Sequence, residues 1–250
     1  MKILLSNDDG IDSEGIRILK TVVQQYHPDA EIWIVAPDGE RSGMSHSITL
    51  RDSIRARKIA EHEYQTSGSP ADCVMTAVMG IMDSRPDVII SGINRGPNLG
   101  TDITYSGTAA AARQGAYMNI PSIAVSLNGF HPPLHYAPLA ETVAKNLEAF
   151  IRLWDEHHFI NINGPNIPGG GKDVRITYPG RRLYKDVLEW FDAPSGDRYW
   201  FLAGEPVDNS DEPGSDWEAV SQNLVSISPV HLHPLNNEID SEYEQTDFVI

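Results

Sequence analysis

The first 36 residues read as strand, helix, strand, and no other feature of the chain narrows its fold as far. Met1 to Ser6 is a short apolar run centred on Ile3, Leu4 and Leu5, and it stops abruptly at Asn7-Asp8-Asp9-Gly10. Ile16, Leu19, Val22 and Val23 then recur at helical spacing behind Ser13, a candidate N-cap. Tyr26-His27-Pro28 ends that helix, and Glu31 to Ala36 is a second apolar strand stopped by Pro37-Asp38-Gly39. Two such strands joined through one helix predict a mostly parallel, doubly wound α/β sheet with a right-handed crossover. Sheets of this kind bind ligands at the carboxyl edge of their strands.

Two adjacent carboxylates directly after a buried strand need an explanation, because buried acids are rare unless something pairs them. In a regular strand Asp8 and Asp9 would point to opposite faces. In a turn, which Gly10 permits, both can reach one small object, and a hard cation is the simplest one. The competing account has one acid capping the next helix and the other in water.

The second strand empties into the polar loop Pro37 to Ser47, which carries Ser42 and His46. Ile48 to Ala60 and His62 to Thr66 have mixed β character, as in a hairpin or edge ribbon. Ser69-Pro70-Ala71-Asp72 opens a helix with Ser69 as N-cap, Pro70 at N1 and Asp72 at N3, running to about Met82. Asp87 to Ser91 is a third strand. It leads into Gly92-Ile93-Asn94-Arg95-Gly96-Pro97-Asn98-Leu99-Gly100, where an extended chain would place the alternating Gly and Asn residues on one side. Ser106-Gly107-Thr108 then starts an alanine-rich helix, whose free N–H groups beside two hydroxyls could seat a phosphate; a plain Ser106 N-cap is the alternative. Pro121 to Ser126, the helix Ala137 to Trp154 and the strand Phe159 to Asn163 follow.

After Gly164 the composition changes. Val174 to Tyr178, Arg181 to Phe191 and Arg198 to Leu202 read as β-rich, with a turn at Asp192 to Asp197. Tyr184, Trp190, Phe191, Tyr199, Trp200 and Phe201 make this arm so aromatic that packing on another subunit is expected. Glu205 to Glu218 reads as a solvated acidic loop, Leu224 to Pro229 as a last strand, and Asn236 to Asp247 as an acidic tail ordered only on a partner.

Charge removes several function classes. The formal net charge is −16, which argues against a nucleic acid polymer or an anionic membrane as partner. No run approaches the roughly 20 apolar residues of a membrane span, and the opening run is too short for a secretion signal, so a cytoplasmic protein is expected. The single cysteine, Cys73, excludes an internal disulfide and a cysteine-rich zinc cage, and its surroundings read as core. The nine histidines show no metal-site spacing: His157-His158 reads as a helix-end feature, and His46 is weighed between substrate contact and structure. Gly171-Lys172 fails the spacing of a phosphate-binding P-loop.

Three strand ends thus converge on one sheet edge, bringing Asp8, Asp9, Ser42, Asn94 and Asn98 beside the helix start at Ser106. The ligands are hard oxygens, which suit Mg²⁺, Mn²⁺ or Ca²⁺ rather than zinc or copper. A metal beside an anion seat suggests phosphate chemistry.

The same residues resemble those of the survival protein SurE family. The resemblance rests on Ile3-Leu4-Leu5-Ser6-Asn7-Asp8-Asp9-Gly10-Ile11, on Ala36-Pro37-Asp38 through Arg41-Ser42-Gly43 with His46-Ser47-Ile48-Thr49, and on Gly68 to Val74. Ser91 to Gly100, Tyr105 to Thr108, Tyr199-Trp200, Gly214-Ser215-Asp216 and Val225 to Pro229 complete it in order. It implies a Rossmann-like core over 1–178, with 179–250 forming a β-hairpin arm and an exchanged C-terminal segment for homodimers or homotetramers. It also implies a nucleotidase acting on nucleoside 5′- and 3′-monophosphates, with polyphosphate trimming in some members. By the resemblance, one divalent cation per subunit, Mg²⁺ or Mn²⁺, is held by Asp8, Asp9, Ser42 and Asn94. Asn98, Ser106, Gly107 and Thr108 match phosphate-contacting positions, which makes Asp8, Asp9 and Asn98 the catalytic candidates. Gln114, where an acid is common, and Ala109, where valine is common, are mild departures. A nucleotide-binding sensor without turnover is the alternative. A nicotinamide oxidoreductase lacks the glycine fingerprint after the first strand.

Overall fold

The computed structural model describes residues 1–181, 184–206 and 212–233. The first strand, β1 (Lys2–Ser6), is followed by α1 (Glu14–Tyr26) and β2 (Glu31–Pro37). An edge hairpin, β3 (Ala56–Ala60) and β4 (Glu63–Thr66), precedes α2 (Pro70–Thr76), β5 (Val88–Arg95), α3 (Gly107–Tyr117) and β6 (Ser122–Asn128). Then come α4 (Tyr136–Leu153), β7 (His158–Pro165), β8 (Val174–Ile176), β9 (Tyr184–Asp192), β10 (Arg198–Pro206), α5 (Asp216–Ser221) and β11 (Val225–His231). Among the described residues, nine strands form one sheet in the order β3-β4-β2-β1-β5-β6-β7-β11-β8, and β9 and β10 pair separately.

The central strands are parallel. From β1 the chain moves outward to β2 on one side and returns to β5 on the other. The carboxyl ends of β1 and β5, where Ser6 and Ser91 lie in register, are therefore a topological switch point, where the fold opens a crevice. Alternation along the strands feeds two cores. Ile3, Leu5, Ile34 and Ile90 face α1 and α4 through Leu19, Val23, Val143 and Leu147. Leu4, Trp33, Val35 and Ile89 face Cys73, Val74 and Ala111 on α2 and α3. Cys73 is thus a core thiol, and burial pushes its pKa up to about 12.

The α2 start is as its sequence predicts: Ser69 Oγ accepts from Asp72 N at 3.1 Å, and Ser69 N donates to Asp72 Oδ2 at 2.9 Å. The expected helix to Met82 is not regular, because it widens into a π-turn over Ala77–Ile81. Gly92 to Gly100 is extended only in its first half, because β5 runs on to Arg95 and stops there. Pairing of β5 with β6 is irregular between Ser91 and Asn94, and Gly92, Gly96 and Gly100 all have positive φ. His157-His158 is not a helix end: His158 opens β7, its Nδ1 at 2.8 Å from Asp155 Oδ1.

The expected acidic loop at 205–218 is corrected at its far end, where Ser215 and Asp216 are fully buried and start α5. Residues 207–211 of that stretch and the tail from Asn236 to Asp247 lie outside the described residues. Nor does the sheet stop at residue 178, since β11 lies between β7 and β8, antiparallel to β7. The arm is as expected in outline, with β9 and β10 antiparallel and Trp190 opposite Trp200.

Candidate active site

The turn after β1 is built by Asn7. Its Nδ2 donates to Gly10 O at 2.8 Å and to Ser13 Oγ at 2.7 Å. This corrects the expected role of Ser13, which stands at the N-cap position of α1 but makes no side-chain cap. Gly10 has φ +98°, a conformation costly for any other residue, so the tight return at this point needs it.

The turn presents Asp8 with 3 % of its surface exposed. Thr108 Oγ1 donates to Asp8 Oδ1. Arg41 N donates to the Asp8 carbonyl at 2.7 Å, which brings the Ser42 loop to the turn. Asp9 is half-buried, and its Oδ2 accepts from Arg95 N at 3.0 Å, linking the turn to the end of β5. Neither acid has an ion-pair partner among the described residues. Burial accordingly raises both. Asp8 is pushed up to about 6 by desolvation, opposed by the Thr108 hydroxyl and assisted by the neighbouring charge of Asp9. Asp9 moves the same way through burial, against the Arg95 N–H and charge. Adjacent acids, one of them buried, with no ion pair between protein groups to hold their charge, suit a cation site.

Above the pair lies a cleft of about 680 Å³. Asp8, Ser42, Asn94, Asn98 and Ser106 all line it, so loops from three strand ends and the start of α3 meet as the sequence predicts. Asn94 Nδ2 donates to Gly96 O at 2.8 Å, leaving its carbonyl oxygen for the cleft. Ser42 is exposed and donates to Glu40 Oε1 at 3.0 Å. Asp9, Gly107 and Thr108 are not in the cleft wall; Asp9 ties the turn to the end of β5, and Gly107 and Thr108 contact Asp8.

At the start of α3, Ser106 Oγ accepts from Ala109 N at 3.0 Å, so the capping role and a place in the cleft wall coincide. Thr108 is fully buried and directed to Asp8. It acts on the site by positioning that carboxylate. Gly107 packs directly against Asp8: a Cβ there would lie 2.7 Å from Asp8 Cβ and 3.0 Å from Pro70 Cγ.

Asn98 is held by residues that sequence reasoning missed. Its N–H donates to Asn163 Oδ1 at 2.8 Å, and its carbonyl accepts from Asn163 Nδ2 at 3.0 Å and Asn161 Nδ2 at 2.9 Å. Its own Nδ2 donates to Ser126 Oγ at 2.8 Å. Asp216 is a second omission: its Oδ2 accepts from Gly100 N at 2.7 Å and its Oδ1 from Gly180 N at 3.0 Å, tying α5 to the Asn98 loop. The visible signal was Asn161 and Asn163 alternating with isoleucine inside an apolar strand.

The mouth is aromatic. Tyr105 and Phe130 line it, joined by Tyr184 and Leu202 from the arm. Tyr184 Oη donates to Asp102 Oδ1 at 2.7 Å. His46 is absent from this wall, and its Nε2 lies 2.9 Å from Gln114 Oε1.

Among the described residues no group of three or more His, Cys, Asp or Glu is arranged for a metal. The donor set here is instead two carboxylates with the neutral oxygens of Ser42 and Asn94. It fits a hard divalent cation, because that charge would neutralise the Asp8–Asp9 pair and the thiolate and imidazole preferred by zinc are missing. No described helix is long and apolar enough to cross a membrane.

Comparison with known proteins gives the same picture. The family model for survival protein SurE matches residues 3–186. The 5′-nucleotidase SurE of Thermosipho melanesiensis is 38% identical over 98% of this chain and 97% of its own length. The 5′-nucleotidase SurE of Petrotoga mobilis is 41% identical over 93% of each. The crystal structure of the Sure protein from Aquifex aeolicus superposes with a TM-score of 0.81, at 35% identity over 95% of each chain. The family model spans most of the chain and these relatives nearly all of it, and on that basis the chain belongs to the SurE family.

Proposed function

We propose that this chain is a metal-dependent nucleotidase that hydrolyses nucleoside 5′- and 3′-monophosphates to nucleoside and phosphate. The observation that carries this reading is the buried Asp8, with Asp9 beside it and no ion pair to either among the described residues, at a cleft that Asp8 lines together with Asn98 and Ser106 at the start of α3. Relatives named 5′-nucleotidase that match over 93–98% of the chain support it.

In this reading Asp8, Asp9, Ser42 and Asn94 hold one Mg²⁺ or Mn²⁺ per subunit. The cation supplies polarisation of the phosphoryl oxygens and a lowered pKa for the attacking water. Asn98 and Ser106 orient the remaining oxygens as charge builds, while Gly107 and Thr108 hold Asp8 in place. The Thr108 hydroxyl favours the ionised form of Asp8 that cation binding requires. Tyr105 and Phe130 offer exposed faces to the nucleoside. Asp8 as a nucleophile forming an aspartyl-phosphate is a competing route, and trapping a phosphorylated Asp8 would establish it over attack by water. Trimming of short polyphosphate is a side activity consistent with the same cleft. The arm, apolar on both faces, supports a homodimer or homotetramer, with 179–250 supplying the oligomerisation segments.

The test is phosphate release from AMP with Mn²⁺, with chelator, and with the cation restored. Cation-dependent, chelator-sensitive release is expected. Saturable AMP binding with no release under any condition would instead make the chain a nucleotide sensor, which shares the cleft but not the turnover.

A further inference from the structure

A second cleft, of about 540 Å³, lies behind the Ser42 loop and is lined by Ser45, His46, Thr104, Arg113, Tyr117, His231, Leu232 and His233. Its chemistry is opposite to that of the first. Among the described residues no carboxylate lines it, in a chain of net charge −16. Arg113, on α3, is half-buried and makes no hydrogen bond or ion pair among the described residues; its guanidinium only lies over the Phe159 ring, 5.3 Å from the centroid. A guanidinium with its N–H donors unused, removed in part from water, is costly unless an acceptor arrives. Two exposed imidazoles, His231 and His233, stand at the same cleft, and the Tyr117 ring is 5.6 Å from that of His233.

Gln114, next to Arg113 on α3, is neutral. Its Oε1 meets His46 Nε2 at 2.9 Å. A glutamate here would place a carboxylate next to the cleft, one residue from Arg113. Asp155 is engaged with His158 at 2.8 Å, and His158 in turn meets His231 ring to ring.

We propose that this second cleft is a binding site for a tetrahedral, phosphate-class oxyanion, with Arg113 as its charged anchor and His231 and His233 as further donors. Guanidinium pairs bidentately with such anions, which gives the site both energy and orientation. The site is also coupled to the first cleft through one loop. Ser45 N donates to Tyr105 O at 3.0 Å and Ser45 Oγ to Thr104 O at 2.7 Å, while Ser42, three residues earlier, faces the first cleft. An anion held by Arg113 beside this anchored loop therefore bears on the segment that carries Ser42.

Sulfate, an inert tetrahedral dianion, is the probe. The full-length protein is titrated with sodium sulfate in chelator at constant ionic strength, and the imidazole C–H resonances are followed by NMR. His231→Gln and His233→Gln assign the two signals. The readout depends neither on turnover nor on a bound cation, so it stands or falls separately from the nucleotidase reading. Saturable shifts at His231 and His233 are expected. Arg113→Gln should weaken the response about tenfold or more, the loss of a hydrogen-bonded charge. Gln114→Glu, which leaves Arg113 and its packing in place, should weaken it comparably by supplying an internal acid. Sodium acetate at the same ionic strength should produce no saturable shift. Linear drift with sulfate, equal response to acetate, or an undiminished sulfate response in Gln114→Glu would overturn the proposal.

Discussion

Gly107 and Asp8 are in such close contact that a single added methyl would lie 2.7 Å from Asp8 Cβ and 2.8 Å from Asp8 Oδ2. The start of α3 can approach the acid turn only because this residue has no side chain. Gly107→Ala must therefore move Asp8 or the helix, at an overpacking cost of about 1–3 kcal/mol. We expect a folded protein with lowered thermal stability and clearly weakened Mn²⁺ binding in a metal titration. Wild-type Mn²⁺ affinity in Gly107→Ala would mean that Asp8 does not contribute to the cation site.

The Asp8 carboxyl gives a pH signature to the cation-free protein. Its ordinary value is 3.8, and burial brings it to about 6. Between these values the folded chain keeps a proton that the unfolded chain has released. Stability then falls as pH rises from about 4 to beyond about 6, by up to about 3 kcal/mol for a shift of this size. Asp9 and Asp216 are displaced in the same direction, so they add to the slope. Denaturant melts in chelator should show wild type losing more stability than Asp8→Asn over that interval. Parallel profiles for the two proteins would refute the assignment. Because protonated Asp8 is a poor ligand, Mn²⁺ should raise the melting temperature more at pH 7.5 than at pH 5.

Asn163 is expected to matter for both stability and turnover. It pairs with both backbone groups of Asn98, at 2.8 and 3.0 Å. Asn163→Ala leaves the Asn98 N–H buried without an acceptor, a penalty of about 1–3 kcal/mol. The Asn98 carbonyl keeps only Asn161. The expected result is a lower melting temperature together with a fall in kcat for AMP at saturating Mn²⁺. A destabilised variant with unchanged kcat would place Asn98 outside the reacting group.

The parts of this molecule that could be read from sequence are those whose physics is local. Ile3, Leu4 and Leu5 in an unbroken apolar run mark a strand buried on both faces, and the helical spacing of Ile16 to Val23 marks its crossover. Ser69, Pro70 and Asp72 form their cap within four residues. Where the deciding partner is distant, local rules mislead. Ser13 has the right identity for a cap, but Asn7 uses its hydroxyl. Thr108 looks like part of a phosphate seat, yet its partner is Asp8, 100 residues earlier. Asn98 depends on Asn161 and Asn163, contacts made only once β7 has joined the sheet beside β6. Buried asparagines inside an apolar strand were the available clue, since a buried amide must find partners somewhere.

The arm carries the last prediction. In β9 and β10, Trp190 faces Trp200 with ring centroids 6.2 Å apart, and Phe191 stacks with Tyr199 at 5.2 Å. Among the described residues neither pair is covered: Trp190 and Trp200 are 51% and 55% exposed, and Leu202 is 73% exposed. A two-stranded ribbon is marginal by itself, and exposed apolar area on both of its faces needs a second surface. Opposite residues share a face, so Trp200→Glu probes one side and Phe201→Glu the other. Each should reduce the mass of the wild-type assembly in light scattering while leaving the far-ultraviolet circular dichroism of the core unchanged. Because Tyr184, Asp186 and Leu202 of the arm wall the first cleft, the dissociated variants should also show a raised KM for AMP. A monomeric wild type, or unchanged mass in both variants, would show that something other than a second copy covers the arm.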